Sequence, residues 1–458
     1  MSEPESLPDN ADAGVLQVRP DNDEDEDDDG SVDTDIEFEP IGIEDADAAF
    51  EEGPIELELG LDPSTGAGAG ALPADDIEWA CIDLADAPQM EELQAFLFLN
   101  YIADADEEFR FDYSGACLAW ALLPPGYTPD WHVALRAKAD GALVGFVAGV
   151  PLRLRVRNAI VDACEVNFLC VSHTHRGKRL APALLAELAR RAAHRPRFYS
   201  AATVLPRVVS ETQYFHRPLD YAKLHAIGFT ALPPNTTLAE AVAAHDLEEQ
   251  EQARVRLRAM RAGDVPAVTA LWNTYSTRFS VAPVLSEAEL AHALIPPRAD
   301  GAEQVVWTYV VDGAGEGKVS DFISFYGLST SVLKHAHDPE TGNRVLEGAY
   351  LGYYASSTPS STAAEDTESD ADAETQLAQR LHDLVAALLP LARRAGFDVF
   401  NCLTVMDNCL FLSSPALKFS PGTGILKWYL DDYRVRPLAG MHATADATPG
   451  RGIGTFMI

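Results

Sequence analysis

Positive charge is what this 458-residue sequence has least of: 34 Lys and Arg stand against 71 Asp and Glu, a formal net charge of -37. A chain so short of cations is repelled by phosphate backbones, so no nucleic-acid partner is expected. No stretch reaches the ~18 apolar residues of a membrane-spanning helix, which removes stable membrane insertion. The opening MSEPESLPDNADAG carries neither the basic flank nor the apolar segment of a secretory signal, so a cytoplasmic location is expected. Six cysteines, at 81, 117, 164, 170, 402 and 409, form no CxxC pair and no even framework. In a chain this long they read as reduced thiols, and metal ligation is not expected.

What charge there is lies unevenly. Residues 1–62 hold 24 Asp and Glu and one Arg, and so supply -23 of the total. The run DNDEDEDDDG repels itself and has too little apolar surface to fold, so residues 1–70 are expected to be a disordered acidic tail. GAGAGALP then reads as a flexible joint. A second acidic segment, residues 356–374, is expected to be a surface loop.

The remainder is mixed α/β. MEELQAFLFLNYI has helical apolar spacing, while ALVGFVAGVPLRLRV and CEVNFLCV read as strands. APALLAELARRAAH is a helix, RFYSAATVL a strand, and LDYAKLHAIGF a helix running into a strand. From about residue 254 the order starts again. VRLRAMRAGDVPAVTALWNTYST repeats the plan of IEWACIDLADAPQMEELQAFLFLNYI, SDFISFYGL takes the place of LVGFVAGVP, and LVAALLPLARRAGFDVFNCLT that of the later helix and strand. EGAYLGYYA reads as an additional strand of the second half. The expected fold class is α/β (α+β), two halves related by a pseudo-twofold axis, with boundaries at 71–250 and 251–458.

Arg176, Lys178 and Arg179 concentrate charge where the strand EVNFLCV turns into an Ala/Leu-rich helix. Amides at a helix N-terminus and nearby Arg or Lys side chains suit a diphosphate. Read alone, HRGKRLAP is equally an exposed basic turn at a helix end. Its spacing, Arg176-x-x-Arg179-x-Ala181, resembles the pyrophosphate loop of GCN5-related acetyltransferases, with Arg179 standing where that loop usually has glycine.

FRFDYS (109–114), ALLPPGYTPDWH (121–132), EVNFLCV, RGKRLAPALL, YFHRPL (214–219), SDFISFY (320–326) and GFDVFN (396–401) occur in one order. Together they resemble the glycylpeptide N-tetradecanoyltransferase, or N-myristoyltransferase, family over about residues 72–458. The resemblance implies two acetyltransferase-like halves, the first binding myristoyl-CoA and the second contributing most of a peptide groove. It implies transfer of a C14 acyl chain to the α-amine of an N-terminal glycine. Myristoyl-CoA is then a co-substrate, no cofactor is permanently bound, no metal is needed, and the partners are proteins with N-terminal glycine. A monomer is expected.

Roles follow residue by residue. The resemblance makes the amides of Phe168 and Leu169 the oxyanion donors. A bulge at those residues would be needed to release them from strand pairing. It makes the α-carboxylate of Ile458, behind the uncharged GIGTFMI, the base that deprotonates the glycine, whose amine has a reference pKa near ~8. Asn167 and Ser200 match polar positions that hold the amine, the second usually Thr. Local side-chain-to-backbone bonds would account for both equally well. Acyl-CoA contacts fall to Phe168, Leu169, Cys170, Val171, Arg176, Gly177, Lys178, Arg179, Leu180, Ala181 and Pro182. Peptide contacts fall to Tyr101, Asp104, Asp106, Phe111, Tyr113, Tyr214, His216, Ser324 and Tyr350, although Phe111 reads equally well as core.

The chain departs from the family in three places. Ala103 and Ala105 interrupt the acidic loop YIADADEEF, and Thr423 stands where Asp is common, which thins the negative wall facing a peptide lysine. The Phe-Trp segment that covers the nucleotide end of myristoyl-CoA has no counterpart in residues 1–70. Two other functions remain consistent with the residues, a short-chain N-acetyltransferase of the same superfamily and a catalytically inactive acyl-CoA or lipopeptide-binding protein.

Overall fold

A computed structural model describes residues 52–55, 75–101, 108–247, 254–296, 303–315, 317–333, 345–358, 368–444 and 447–456. Of the expected acidic tail only residues 52–55 fall among these.

After a short strand, Gly53–Pro54 (β1), the chain runs through a fixed series. It comprises Ile77–Cys81 (β2), Ala87–Asn100 (α1), Phe109–Asp112 (β3), Gly115–Leu122 (α2), His132–Ala137 (β4), Leu143–Val156 (β5), Ala159–Val171 (β6), Leu180–Arg191 (α3), Arg197–Ala201 (β7) and Ser210–Pro218 (β8). Two short helices, Tyr221–Ala226 (α4) and Leu238–Ala244 (α5), follow. The series then recurs as Arg258–Ala259 (β9), Val265–Tyr275 (α6), Val281–Pro283 (β10), Glu287–Leu294 (α7), Val306–Asp312 (β11), Val319–Val332 (β12), Val345–Ser356 (β13), Glu368–Arg394 (α8), Val399–Leu403 (β14) and Ser420–Asp431 (β15). Cys409–Leu412 (α9) precedes β15, and Tyr433–Arg434 (β16) pairs with β1.

Fourteen of the described strands join in one sheet, twelve of them in the order β2-β4-β5-β6-β7-β15-β8-β14-β13-β12-β11-β9 and two, β3 and β10, off this path. Read from either end, the order visits equivalent strands of the two series, so the pseudo-twofold axis passes between β15 and β8. Each half lends the other its last strand: β8 of the first pairs β14 of the second, and β15 of the second pairs β7 of the first. The short strands are exchanged as well, β3 onto β12 and β10 onto β5.

Local sequence accounts for the elements. The 14-residue β5 is almost wholly apolar at its centre, as a strand covered on both faces requires. Ser114 caps α2 by accepting the Cys117 amide at 3.1 Å. Pro88 opens α1 where a missing amide costs nothing, and Leu93, Phe96 and Leu97 face inward. These side chains join Phe146, Ala148 and Phe168 in a cluster that forms the wall of the site described below.

Two expectations need correction. EGAYLGYYA is a strand of the second half, as expected, but it is not additional to the repeat. It lies in β13, the counterpart of β6, pairing antiparallel with β12 and parallel with β14 as β6 does with β5 and β7. The segment 356–374 is not a loop throughout, because α8 begins at Glu368. Residues 368–374 of that segment are helical; residues 359–367 lie outside the described residues.

Candidate active site

Two structural breaks create the site, and both lie on β6. The first is a register shift against β5. Phe146 pairs with Cys170 and Ala148 with Asn167, so one residue of β5 opposes two of β6, Phe168 and Leu169. Phe168 has φ 56°, a left-handed backbone that a bulky residue adopts only under constraint. Neither bulge residue has a partner in the ladder to β5 or to β7. The bulge required by an oxyanion-binding role is therefore present at the residues named for it.

The second break is where β6 and β7 part. Their parallel pairing ends at Glu165 with Phe198. Asn167 and Ser200 each stand two residues beyond that last pair, on opposite walls of the opening. Asn167 is buried, and its Nδ2 donates to Glu165 Oε1 at 2.9 Å. Burial pushes the Glu165 carboxyl above the usual carboxylate range, against the bond from Asn167, which holds it down. Glu165 is a site residue the sequence reading missed. Its signal was a lone charge inside the apolar strand CEVNFLCV.

The Phe168 ring lies among residues assigned to the peptide. It packs 5.0 Å from Tyr113 and 5.8 Å from Tyr101, and Tyr113 lies 5.9 Å from both Tyr101 and Phe111. Phe111 is half-buried rather than enclosed in the core. Tyr350 stacks on Tyr326 at 5.3 Å, and Trp120 lies tilted against Tyr326 at 5.5 Å. The buried Trp120 indole N–H has no hydrogen-bond partner among the described residues. Tyr326 and Trp120 were not foreseen.

Tyr214 and His216 lie on β8, opposite a break in β15. Pro421 pairs with Phe215 and Ile425 with Gln213, so Gly422, Thr423 and Gly424 bow out around Tyr214. His216 shares a 2.7 Å hydrogen bond between Nδ1 and Asn401 Oδ1, its ring nearly parallel to that of Tyr214 and edge-on to Phe229. Asn401 Oδ1 can only accept, so Nδ1 carries the proton. Burial lowers the ring's pKa, against the bond to Asn401, which raises it. A Cβ on Gly422 would collide with the same ring, which explains glycine there. Ser324 is 1 % exposed and donates to the Tyr353 carbonyl at 2.7 Å. Asp104, Asp106 and Ile458 lie outside the described residues.

The basic turn follows β6 directly. Gly177 has φ 74° and Arg179 φ 57°, so Arg179 takes up the left-handed conformation for which glycine is the usual residue. It is the N-cap of α3, and no side chain caps that helix. Pro182 in the first turn offers no N–H, which leaves the amides of Leu180 and Ala181 as donors. Arg176 donates to the Asn100 carbonyl at 3.0 Å and His173 N to Asn100 Oδ1 at 3.1 Å, which fastens the turn to the end of α1. Lys178 and Arg179 are exposed. Cys170 and Val171 are buried, and burial raises the Cys170 thiol to about 12, so it is no nucleophile. Among the described residues no group of three or more His, Cys, Asp or Glu could hold a metal ion.

Residues 69–212 match the family described as "Myristoyl-CoA:protein N-myristoyltransferase, N-terminal domain", and residues 226–456 match its C-terminal domain. This chain belongs to that family. The N-myristoyltransferase relatives include the glycylpeptide N-tetradecanoyltransferase of Candida glabrata, 40% identical over 85% of this chain and 84% of the relative. That of Candida albicans is 36% identical over 89% and 88%. The crystal structure of Saccharomyces cerevisiae N-myristoyltransferase with bound myristoyl-CoA is 34% identical, with a TM-score of 0.79 over 90% of this chain and 96% of that one. The paired acetyltransferase-like halves are thus the N-myristoyltransferase fold, and no described helix is long and apolar enough to cross a membrane.

Proposed function

We propose that this chain works by direct attack of a glycine amine on a bound thioester, with no acyl-enzyme. As a member of the family it is an acyltransferase: it moves a myristoyl group from myristoyl-CoA to the N-terminal glycine of proteins. The first half, residues 71–250, holds myristoyl-CoA, and the second, 251–458, supplies most of the peptide groove. Myristoyl-CoA binds first, its diphosphate at the α3 N-terminus with Lys178 and Arg179. The glycine ammonium gives one proton to the Ile458 carboxylate, and the free amine attacks the carbonyl carbon. The resulting oxyanion is received by the amides of Phe168 and Leu169. Collapse breaks the C–S bond, and the thiolate takes up the second proton lost from nitrogen. Asn167, fixed by Glu165, and Ser200 hold the amine between the parted strands.

The bulge at Phe168 and Leu169, set among the aromatic side chains, carries this reading. Donors aimed at developing charge are worth roughly 10²–10³ in rate each. The setting we propose is cytoplasmic protein lipidation by a monomer.

The test is an acyl-transfer assay with myristoyl-CoA and a peptide beginning Gly-Ser, with acetyl-CoA as competitor. Transfer of the C14 chain with little use of acetyl-CoA is expected. Binding of myristoyl-CoA without transfer would contradict it.

A further inference from the structure

The symmetry of the fold gives the second half a bulge of its own. On β12 and β13, Ile323 pairs with Tyr354 and Phe325 with Leu351, so Ser324 opposes two residues, Gly352 and Tyr353. These are the positional equivalents of Phe168 and Leu169. In the first half the bulge faces the proposed acyl-transfer cleft. In the second it is filled by the chain itself.

The filler is the segment Gly452–Phe456, which ends two residues before Ile458. Its backbone is fastened at several points: the Val281 amide donates to Gly452 O at 3.0 Å, the Gly454 amide to Val281 O at 2.6 Å, and the Met406 amide to Ile453 O at 2.8 Å. Past these bonds the side chains enter the bulge. The Phe456 ring lies 4.7 Å from Tyr353 and 5.2 Å from Tyr326, and the Thr455 and Tyr353 hydroxyls are 2.9 Å apart. A Cβ on Gly352 would stand 2.7 Å from Ser324 Oγ and 3.6 Å from Phe456 Cε1. Glycine is what allows Ser324 to reach the Tyr353 carbonyl, and that bond holds the bulge in shape.

We infer that this second bulge is the seat for Gly452–Phe456, and that Tyr353, Thr455 and Gly352 are positioning residues for the base proposed at Ile458. One half's bulge receives the developing oxyanion, while its twin fixes the base. The inference rests on the reading of Ile458 as base. A carboxylate at the end of a two-residue extension from Phe456 has its reach set by how firmly Phe456 is held. Loosening that seat lowers the fraction of complexes with the base in place and leaves the acyl-CoA cleft as it is.

The experiment compares full-length Tyr353→Phe, Thr455→Val, Thr455→Ser, the Tyr353→Phe/Thr455→Val pair, and a chain lacking Ile458. Tyr353→Phe removes the hydroxyl contact, and Thr455→Val removes it together with the bond from Thr455 Oγ1 to Phe456 O at 3.2 Å, so each is expected to lower kcat about five- to tenfold, Thr455→Val the more. The KM for myristoyl-CoA stays within twofold, the double variant falls no further than Thr455→Val alone, and Thr455→Ser recovers most of the rate. Loss of kcat on removing Ile458, with full kcat in Tyr353→Phe and Thr455→Val, overturns the seat and leaves the base intact. Full kcat without Ile458 overturns the base, and the seat with it. A rise in the KM for myristoyl-CoA parallel to the loss of kcat identifies a general structural role and also overturns the inference.

Discussion

Asn167 and Glu165 are joined side chain to side chain at 2.9 Å on the last turnless stretch of β6 before it bulges. Facing the same side of the strand, they put a carboxyl withdrawn from solvent directly behind the amide proposed to hold the substrate amine. Because burial raises the Glu165 pKa, the folded chain keeps that proton to higher pH than the unfolded chain does. Its contribution is therefore fully favourable below the unfolded value of ~4.3 and is lost as pH rises through the folded value.

Glu165→Gln keeps an oxygen to accept from Asn167 and removes the titration. Thermal unfolding between pH 5 and 8 is expected to show the variant at least as stable as the native chain near neutral pH, with its advantage shrinking on acidification. A variant less stable at pH 8 than at pH 5, relative to the native chain, would contradict this.

Arg179 and Gly177 should respond in opposite directions. Arg179→Gly relieves a left-handed residue, worth ~1–2 kcal/mol, and gives back part of it as chain entropy. Unfolding should be unchanged or up to ~1 kcal/mol harder, while the KM for myristoyl-CoA rises and loses some of its salt dependence. Gly177→Ala meets no neighbouring atom within 4 Å, so its cost is backbone strain alone, about 1 kcal/mol. Equal stability changes in both variants would show that the turn's backbone does not matter.

His216 is expected to stay neutral near pH 7, since burial lowers its pKa against the bond to Asn401, which raises it. A depressed histidine costs stability as pH falls below its unfolded value of ~6.5, so the native chain should lose stability there relative to His216→Gln. Asn401→Leu leaves a buried donor unpaired, a loss of ~1–3 kcal/mol felt as a weaker peptide KM. Nitrogen NMR of the ring across pH 6–8 reads the protonation state directly; an imidazolium signal at pH 7 would be inconsistent with this assignment.

The substrate's distal lysine should matter less here than the family pattern implies. Thr423 sits exposed in the bowed segment of β15, and in the sequence Ala103 and Ala105 interrupt the acidic run YIADADEEF. A peptide series with Lys or Ala at each position after the glycine is expected to show less than tenfold preference for Lys. A hundredfold preference would mean other carboxylates supply the contact.

Much of this was legible in the sequence because it is local. The repeat of strand, helix and strand follows from apolar spacing, and the turn Arg176–Ala181 lies between a strand and a helix as read. The exchange of β8 and β15 was not legible. Pairs such as Thr212 with Leu426 join residues over two hundred positions apart, and no local pattern encodes that choice of partner. Arg179 looked like a departure from a glycine pattern until its φ of 57° showed that the conformation had been kept without the residue. Glu165 was passed over because a charge in an apolar strand gains its meaning only from where the neighbouring strand parts. The role of EGAYLGYYA was missed for a similar reason, since its likeness to EVNFLCV lies in pairing and bulge rather than in residue type.

The most direct test of the account is a single-turnover measurement on enzyme preloaded with myristoyl-CoA, comparing the full chain with one lacking Ile458. The account predicts that the acyl-transfer step slows by roughly 10²–10⁴-fold while the Kd for myristoyl-CoA stays within about twofold. A transfer step of unchanged rate in the shortened chain would contradict it.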